Sequence, residues 1–527
     1  MKGHTKFVLG LFVVGVIFII GYKFVSPLLE DDAQRSTSDA IATKGTIRIG
    51  VDNWIGYYPL CSDEMRKRMR RAGYVLQCED DKADYAERMK KLKKGKLQFA
   101  VATVDSYLLN GADVKYPGTI IAVIDESKGG DAIVAWSDKA DNLDALKAKQ
   151  DIKIALTPDS PSDHLLKSVA VHFDVPFLRN KQGSWRVPAN GSEDALKKLT
   201  DKKVDVAVLW EPDVSRALGK KGIKKLLGTE QTNKLIVDIL IVERDYAQDH
   251  PAEVEILLQN YFRTLKHYQS DTDALARDAA RETGLPEKTV RTLLGGVNWI
   301  NLSDNSLAWF GVNSAGGKSR EDLVDTIEST ANILIDSGDF SSSPIPNNDP
   351  YRLTNSRFIG DLFEKSFTTE GQFGKSGTGS NQVTVTENSL EREFRQLTTA
   401  QWSKLREIGT LKIRPIVFQS GTADLTQEGK QQIDRAVENL KHYPNFRVVV
   451  KGHTGTKGDK RANNTLSLDR AEAVSRYLLV TYNISTNRLR AVGYGGSKPP
   501  ARQKGESSRS YNYRLPRVEL VLVAENI

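Results

Sequence analysis

The sequence predicts an α/β protein with two unlike folded parts, the second of them α+β, behind one N-terminal transmembrane helix. Three observations support this organisation. Strand-like and helix-like segments alternate from residue 45 onward, as in mostly parallel sheets with helices on both faces. An uncharged apolar stretch occupies residues 7–22, and a stretch rich in Ser, Thr, Asn and Gly at residues 368–390 indicates a flexible linker.

The length and composition bound the classes of function. A chain of 527 residues predicts about three to five folded units, and 39% hydrophobic with 27% charged residues is a globular composition. The net charge of +8 is too small for this length to indicate nucleic-acid binding. Two cysteines exclude a zinc ribbon, and the seven histidines form no H-E-x-x-H motif, so we expect no metal and no cofactor.

The apolar stretch at residues 7–22 reads FVLGLFVVGVIFIIGY and can just span a bilayer. Lys2 and Lys6 precede it and the acidic residues 30–32 follow, which predicts a cytoplasmic N-terminus, a single pass through the inner membrane and a periplasmic bulk. The alternative is a cleaved signal peptide, but the following KFVSP offers no small-residue cleavage site. We therefore assign residues 1–27 to an anchor and residues 28–44 to a linker.

The first folded part, residues 45–367, resembles the nitrate/sulfonate/taurine class of ABC-type solute-binding proteins. The segments that carry the resemblance are GVDNWIGYYPL at 50–60, GGDAIVAW at 129–136, PDSPSDHLL at 158–166 and VDVAVLWEPDVSRAL at 204–218. The resemblance implies a type II periplasmic-binding-protein fold, in which two α/β lobes joined by two crossing strands hold a small solute. We expect the crossings near residues 132–136 and 236–242, with the second lobe at about 136–235.

Candidate solute contacts follow the strands of this part, because ligands of open parallel sheets bind at the carboxyl ends of strands. Packing and helix capping would explain the same residue types, and that alternative stays open. A carboxylate such as Glu211 would be costly in an anion site, which leaves a zwitterionic or cationic solute open. The candidates are Asn53, Trp54, Tyr57, Asp105, Ser106, Ser160, Ser162, Trp210 and Glu211.

The two cysteines stand at the ends of one predicted strand–helix–strand unit. Cys61 opens a helix and Cys78 closes the next strand, which brings both to one edge of the sheet in a right-handed unit. An oxidising compartment permits a disulfide between them. Two free buried thiols are the alternative.

The second folded part, residues 391–527, resembles the OmpA C-terminal-like family that associates with peptidoglycan. The segments are RPIVFQSGTADLTQEG at 414–429, RVVVKGHTGTKGDKRANNTLSLDRAEAVSRYL at 447–478 and NRLRAVGYGGSKP at 487–499. The resemblance implies a βαβαβ-type sheet with helices on one face. It also implies contact with the diaminopimelate-bearing peptide through Thr454, Asn463, Leu466, Ser467 and Arg470.

Two departures from the family pattern bear on wall binding. The family's N-R-R-V segment reads LPRV at 515–518 here, although Asn512 and Arg514 could serve if the loop is longer. In the family a carboxylate holds the ligand's ammonium group while an arginine takes its carboxylate in a bidentate pair. Arg470 stands at the arginine position, but Gly455 occupies the position of the aspartate. Asp459, four residues on, is the candidate substitute, and peptidoglycan binding therefore stays an open expectation.

The order of these parts predicts a non-enzymatic, membrane-anchored binding and scaffold protein that couples solute recognition to peptidoglycan association. The alternative is a MotB-like accessory subunit of a multi-span inner-membrane complex, whose OmpA-like domain binds protein instead. No Asp or Glu lies within residues 7–22, so the anchor itself offers no proton path. An oligomer is expected because single-span anchors with OmpA-like domains often assemble.

Overall fold

The computed structural model describes residues 43–148, 151–312, 320–368, 394–503 and 505–525. The predicted anchor at residues 7–22 lies outside the described residues, as does almost all of the predicted linker at 368–390. Within the described ranges, no helix combines the length and the apolar character needed to cross a membrane.

The strands of the first lobe are β1 Gly45–Val51, β2 Tyr74–Asp80, β3 Phe99–Thr103, β4 Gly118–Ser127, β10 Val237–Glu243 and β11 Val297–Trp299. They form a six-stranded sheet of order β11-β4-β10-β3-β1-β2. β1 runs parallel to β2 and β3, whereas β10 is antiparallel to β3 and β4. Strands β4 and β10 lie inside the sheet, and nearly all of their residues are buried.

The second lobe has a five-stranded sheet of order β7-β6-β8-β5-β9. Its strands are β5 Asp131–Trp136, β6 Ile154–Leu156, β7 Arg186–Pro188, β8 Val206–Trp210 and β9 Ile223–Gly228. The chain crosses between the lobes at residues 128–130 and 229–236. The segments expected to cross are full members of one sheet each, because β5 pairs with β8 and β9 while β10 pairs with β3 and β4. Two α/β lobes with two crossings are the architecture that the first resemblance implies.

Helices cover both sheets, and their termini follow local sequence signals. Ser62 and Asp84 cap two helices by accepting the backbone N–H groups of Met65 and Glu87, and Gly284 ends another in the left-handed region. In the first lobe the helices are Tyr58–Cys61, Asp63–Arg71, Tyr85–Lys93, Val104–Ala112, Arg244–Asp249, Pro251–Ser270, Thr272–Thr283, Glu287–Leu294, Leu302–Asp304, Asp322–Asp336 and Arg357–Thr368. In the second lobe they are Leu143–Ala148, Pro161–His172, Gly191–Thr200 and Asp213–Leu218.

The two cysteines form a disulfide in the first lobe. Cys61 ends a short helix and Cys78 lies on β2, with their Cα atoms 6.1 Å apart. The bond closes the strand–helix–strand unit at one sheet edge.

The C-terminal part is an α+β unit with a four-stranded sheet of order β12-β15-β13-β14. The strands are β12 Arg406–Thr410, β13 Arg447–His453, β14 Leu489–Gly493 and β15 Arg517–Ala524. The helices are Thr399–Trp402, Gln427–Lys441, Lys460–Tyr482 and Ser508–Arg514. Gly452 explains the close packing of β13 against the long helix, because a Cβ atom there would stand 1.9 Å from the Ser467 carbonyl oxygen.

The second lobe and the C-terminal part share one apolar cluster. Phe173 packs edge-on against Tyr443, with ring centroids 5.2 Å apart, and the absent side chain of Gly409 leaves room for the Phe173 ring. The His172 imidazole lies 2.9 Å from the Tyr443 hydroxyl oxygen and stacks on His442. This contact buries aromatic surface from both parts.

The C-terminal part also contacts the second crossing, residues 229–236. The Asn233 backbone N–H donates to the His442 carbonyl oxygen at 2.9 Å. The Asn445 amide donates to the Glu230 carbonyl oxygen at 2.9 Å. The C-terminal part therefore lies against the segment that any lobe motion must bend.

Candidate ligand-binding cleft and OmpA-like surface

A cavity of about 30 Å³ lies between the two lobes, at the carboxyl ends of their strands. Asp52 follows β1, Trp210 ends β8, and Ser160 precedes the helix Pro161–His172. The second crossing contributes Ile236. The full lining comprises Asp52, Trp54, Tyr57, Ala83, Tyr85, Thr103, Asp131, Ser160, Pro161, Trp210, Ile236 and Asp238.

Four of the nine sequence-predicted solute contacts line this cavity, namely Trp54, Tyr57, Ser160 and Trp210. Asn53 is exposed and lies outside it. The Glu211 carboxylate accepts the backbone N–H and the hydroxyl of Ser215 at 3.0 and 2.8 Å, so it serves the start of the next helix. The remaining three are buried outside the cavity lining, namely Asp105, Ser106 and Ser162.

Five lining residues with polar groups are absent from the nine sequence-predicted contacts, namely Asp52, Tyr85, Thr103, Asp131 and Asp238. Asp131 begins β5 and Asp238 lies within β10, and both sit in otherwise apolar runs, DAIVAW and VDILIVE. Burying a carboxylate inside a strand costs free energy unless its surroundings compensate it. An Asp within an apolar strand segment was therefore the sequence signal that could have identified these two residues.

The Arg88 guanidinium pairs with Asp52, a carboxylate of the cavity lining. It is fully buried, donates to Asp52 at 3.1 Å and to Asp81 at 2.5 Å, and donates to the Val101 carbonyl oxygen at 2.7 Å. Its charge is therefore committed to two carboxylates of its own lobe. Among the described residues, Asp52 is therefore the only carboxylate of the cavity lining that forms an ion pair.

Three further carboxylates, Asp125, Asp131 and Asp238, are buried without a cationic partner among the described residues. The Trp54 indole N–H donates to Asp125 at 3.2 Å, the Ser127 hydroxyl donates to Asp131 at 2.7 Å, and the Tyr57 hydroxyl donates to Asp238. Neutral donors alone do not offset the desolvation of three carboxylates.

The protonation of these carboxylates is shifted accordingly. Burial raises the pKa of Asp125 and of Asp131 to about 7. Burial and then the neighbouring charge of Asp125 raise the pKa of Asp238 well above its usual range. The cleft is therefore a site in which a cation would restore ionised carboxylates at neutral pH.

Ion pairs connect the second lobe to the segment of the first lobe that follows the helix Asp322–Asp336. The Lys167 and Lys181 ammonium groups lie 3.0 and 2.5 Å from the Asp339 carboxylate.

Trp54 packs on the first crossing, where a Cβ atom on Gly130 would stand 2.1 Å from the indole ring. Trp54 thus touches both the cavity and the connection between the lobes.

In the C-terminal part, Arg470 presents a guanidinium whose charge is not paired with a carboxylate among the residues described. Its Nε donates to the Thr422 carbonyl oxygen at 3.0 Å, and the group lies 5.0 Å from the Phe418 ring centroid. Asp469 and Glu472, its acidic neighbours along the chain, form no ion pair with it. The remaining N–H groups are therefore available to a carboxylate of a ligand.

The other residues of the motif build the loops around Arg470. The Ser467 hydroxyl donates to the Asn464 carbonyl oxygen and accepts the Gly495 N–H, both at 2.8 Å. The Asn463 amide donates to the Lys457 carbonyl oxygen at 2.9 Å, and Leu466 is half-buried. The buried Thr454 donates its backbone N–H to the Gly495 carbonyl oxygen at 2.9 Å.

The position of the missing aspartate is open. A Cβ atom built on Gly455 meets no other atom within 4 Å. Asp459, the candidate substitute, caps the helix Lys460–Tyr482 by accepting the Ala462 N–H at 2.7 Å. Its carboxylate is thus engaged by the helix start.

The fold and these two sites define a chain that joins a two-lobed binding fold to an OmpA domain. The OmpA family model matches residues 417–513, which confirms the second resemblance. Among curated relatives, Omp38 of Acinetobacter baumannii is 31% identical over 117 residues, which are 22% of this chain and 33% of that protein. The peptidoglycan-associated lipoprotein of Pseudomonas aeruginosa is 35% identical over 103 residues, or 20% and 60% of the two chains. The chain thus spans about a third of the first relative.

Solved structures similar to this chain include two periplasmic binding proteins. The aliphatic sulphonate binding protein SsuA from Escherichia coli aligns with a TM-score of 0.44 and 15% identity, over 59% of this chain and 99% of that one. The nitrate-binding protein NrtA from Synechocystis aligns with a TM-score of 0.44 and 12% identity, over 63% and 90% of the two chains.

Proposed function

We propose that the protein is a non-enzymatic envelope protein that couples binding of a small solute to association with peptidoglycan. One observation carries this proposal: the OmpA domain packs on the second lobe and on the second crossing at the same time. Two-lobed binding folds move by bending their crossings. A domain that packs on a crossing therefore changes its contacts when the cleft opens or closes.

The membrane side of the proposal rests on the sequence. Residues 7–22 have the length and the flanking charges of a single inner-membrane span with a periplasmic bulk. A fusion of a periplasmic reporter enzyme behind residue 44 is expected to be active and to sediment with membranes. Release of the reporter into the soluble periplasmic fraction would show a cleaved signal instead.

Peptidoglycan association is supported by the OmpA family match and by the available Arg470 guanidinium. The test is cosedimentation of the purified full chain with sacculi. Loss of a charge-assisted contact in Arg470→Ala is expected to weaken binding by about 1.5 kcal/mol or more, roughly tenfold. Arg476→Ala, an exposed arginine on the same helix, is the matched control and is expected to bind as the native chain does.

A second candidate function is favoured by Gly455, which removes the family's ammonium partner. In that case the chain is a MotB-like accessory subunit, and the OmpA domain binds protein. It predicts that the native chain stays in the supernatant with sacculi and copurifies with a multi-span membrane protein. Pelleting that depends on Arg470 would exclude this candidate.

A further inference from the structure

We infer that the cleft binds a small organic cation, an ammonium or methylated ammonium ion, through Asp131, Asp238 and a surrounding set of aromatic rings. This inference rests on the proposed solute-binding role of the cleft and specifies the ligand's chemical class. It differs from the anions named for the sulphonate- and nitrate-binding structures above.

The charge of the cleft is the first support. Asp131 and Asp238 line the cavity from opposite lobes, and each is at most 4% exposed. Neither has a cationic partner in the described part of the chain. Asp125, which lies opposite Asp238 in the pairing of β4 with β10, has one carboxylate oxygen that accepts no hydrogen bond. A cation between the lobes would neutralise carboxylates from both sides and so favour the closed arrangement.

The aromatic rings are the second, independent support. Trp54, Tyr57, Tyr85 and Trp210 line the same cavity, three from the first lobe and one from the second. An alkylated ammonium ion gains from ring faces and from carboxylates together, whereas an anion is repelled by both. Arg88 already places its guanidinium 4.7 Å from the Tyr85 ring centroid, so the protein itself uses one of these rings for a cation.

The arginine that could pair with an anion beside this helix is already engaged. The helix Pro161–His172 begins at the cavity, and the Asp163 carboxylate in its first turn accepts the Asp159 N–H at 3.1 Å. Asp163 also forms a bidentate pair with Arg186, at 2.9 Å for each contact. Arg186 is thus neutralised within the lobe, and Asp163 places a carboxylate at the start of a helix whose N-cap residue, Ser160, makes no side-chain capping hydrogen bond.

The carboxylates are also poorly placed for a metal ion. In the described ranges no three side chains of Asp, Glu, His or Cys come close enough together to share one. The cavity of about 30 Å³ has room for about one water-sized group, so an ammonium head group fits as it stands and a methylated one requires the lobes to part. An ammonium ion matches the combination of dispersed carboxylates and rings.

The test is isothermal titration of the full chain with methylammonium, tetramethylammonium and choline chlorides, and with sodium methanesulfonate and sodium nitrate at equal ionic strength. At least one cation is expected to bind and both anions to give no heat. Asp131→Asn is expected to weaken binding of the cation at least about tenfold. Asp361→Asn is the control and is expected to leave binding unchanged, because Asp361 lies outside the cavity lining and its carboxylate is paired with Arg357.

A second variant keeps the test informative if Asp131→Asn does not fold. Trp210→Leu keeps apolar bulk but removes the ring, and it is expected to weaken the cation about fivefold to thirtyfold. Binding of an anion without any cation would overturn the inference while leaving the proposed solute-binding role intact. Binding of none of the five compounds would overturn the inference as well, and retained association with sacculi would then confine the failure to the cleft.

Discussion

Restoring the missing carboxylate of the OmpA domain should strengthen its hold on the cell wall. Gly455→Asp places a carboxylate where the structure leaves empty space, since no atom lies within 4 Å of a Cβ built there. Gly455 does not lie in the left-handed region of backbone conformation, so a side chain introduces no strain. We therefore expect the free energy of unfolding to change by less than about 1 kcal/mol.

The expected gain in affinity follows from a single added contact. A carboxylate that meets the ammonium group of the wall peptide in a half-exposed site contributes about 1.5 kcal/mol, which corresponds to roughly tenfold tighter binding. Cosedimentation with sacculi at increasing wall concentration measures this difference. Gly455→Asn is the control, because it has the same shape without the charge.

Comparison of the two substitutions tests whether position 455 faces the ammonium group of the wall peptide. Gly455→Asp should bind sacculi about tenfold more tightly than Gly455→Asn, and raised salt should narrow the difference. Equal binding by both variants, with native binding that still requires Arg470, would refute the reasoning that this loop position faces the ammonium group.

Three further predictions concern stability. Arg88→Ala leaves two carboxylates buried without a partner and should lower the free energy of unfolding by about 3–5 kcal/mol, measured by urea denaturation. Reduction of the Cys61–Cys78 disulfide, which closes a separation of 17 residues, should cost about 3 kcal/mol in the same assay, and an unchanged midpoint would contradict this. Burial lowers the pKa of His172 and His442 below the ordinary 6.5, which makes their contribution to stability fall as pH falls below about 6.5, whereas the raised pKa of Asp125 and Asp131 acts in the opposite direction over the same range. The native chain should therefore lose more stability, or gain less, between pH 7.5 and 5.5 than His172→Asn does, and parallel profiles for the two would contradict this.

The architecture was readable from the sequence because long periodic segments determine it. Alternation of strands and helices predicted mostly parallel sheets, the resemblance to solute-binding proteins implied two lobes, and the segment at 447–478 carried the resemblance to the OmpA-like family. The positions of the crossings were shifted by several residues because strand pairing decides them. β5 and β10 are as apolar as a crossing strand would be, and only their partners reveal that each belongs to one sheet.

The cleft was harder to predict because side-chain direction depends on pairing as well as on position. Trp54 and Trp210 follow strands and reach the cavity, as expected from strand ends. Glu211, next to Trp210, turns back to the following helix, and nothing in its neighbourhood in the sequence distinguishes the two outcomes. Asp238 sits inside an apolar run, and its side chain reaches the cavity because of its register in β10.

The position of the OmpA domain on the second lobe has a mechanical consequence. The chain enters the first lobe at β1, behind the predicted membrane span, whereas the OmpA domain rests on the second lobe. Under the proposed function, membrane and wall are attached to opposite halves of the cleft. A pull between the two layers acts to part the lobes and thereby to release the ligand, and ligand binding resists that pull. Occupancy of the cleft would thus depend on the spacing between membrane and wall as well as on solute concentration.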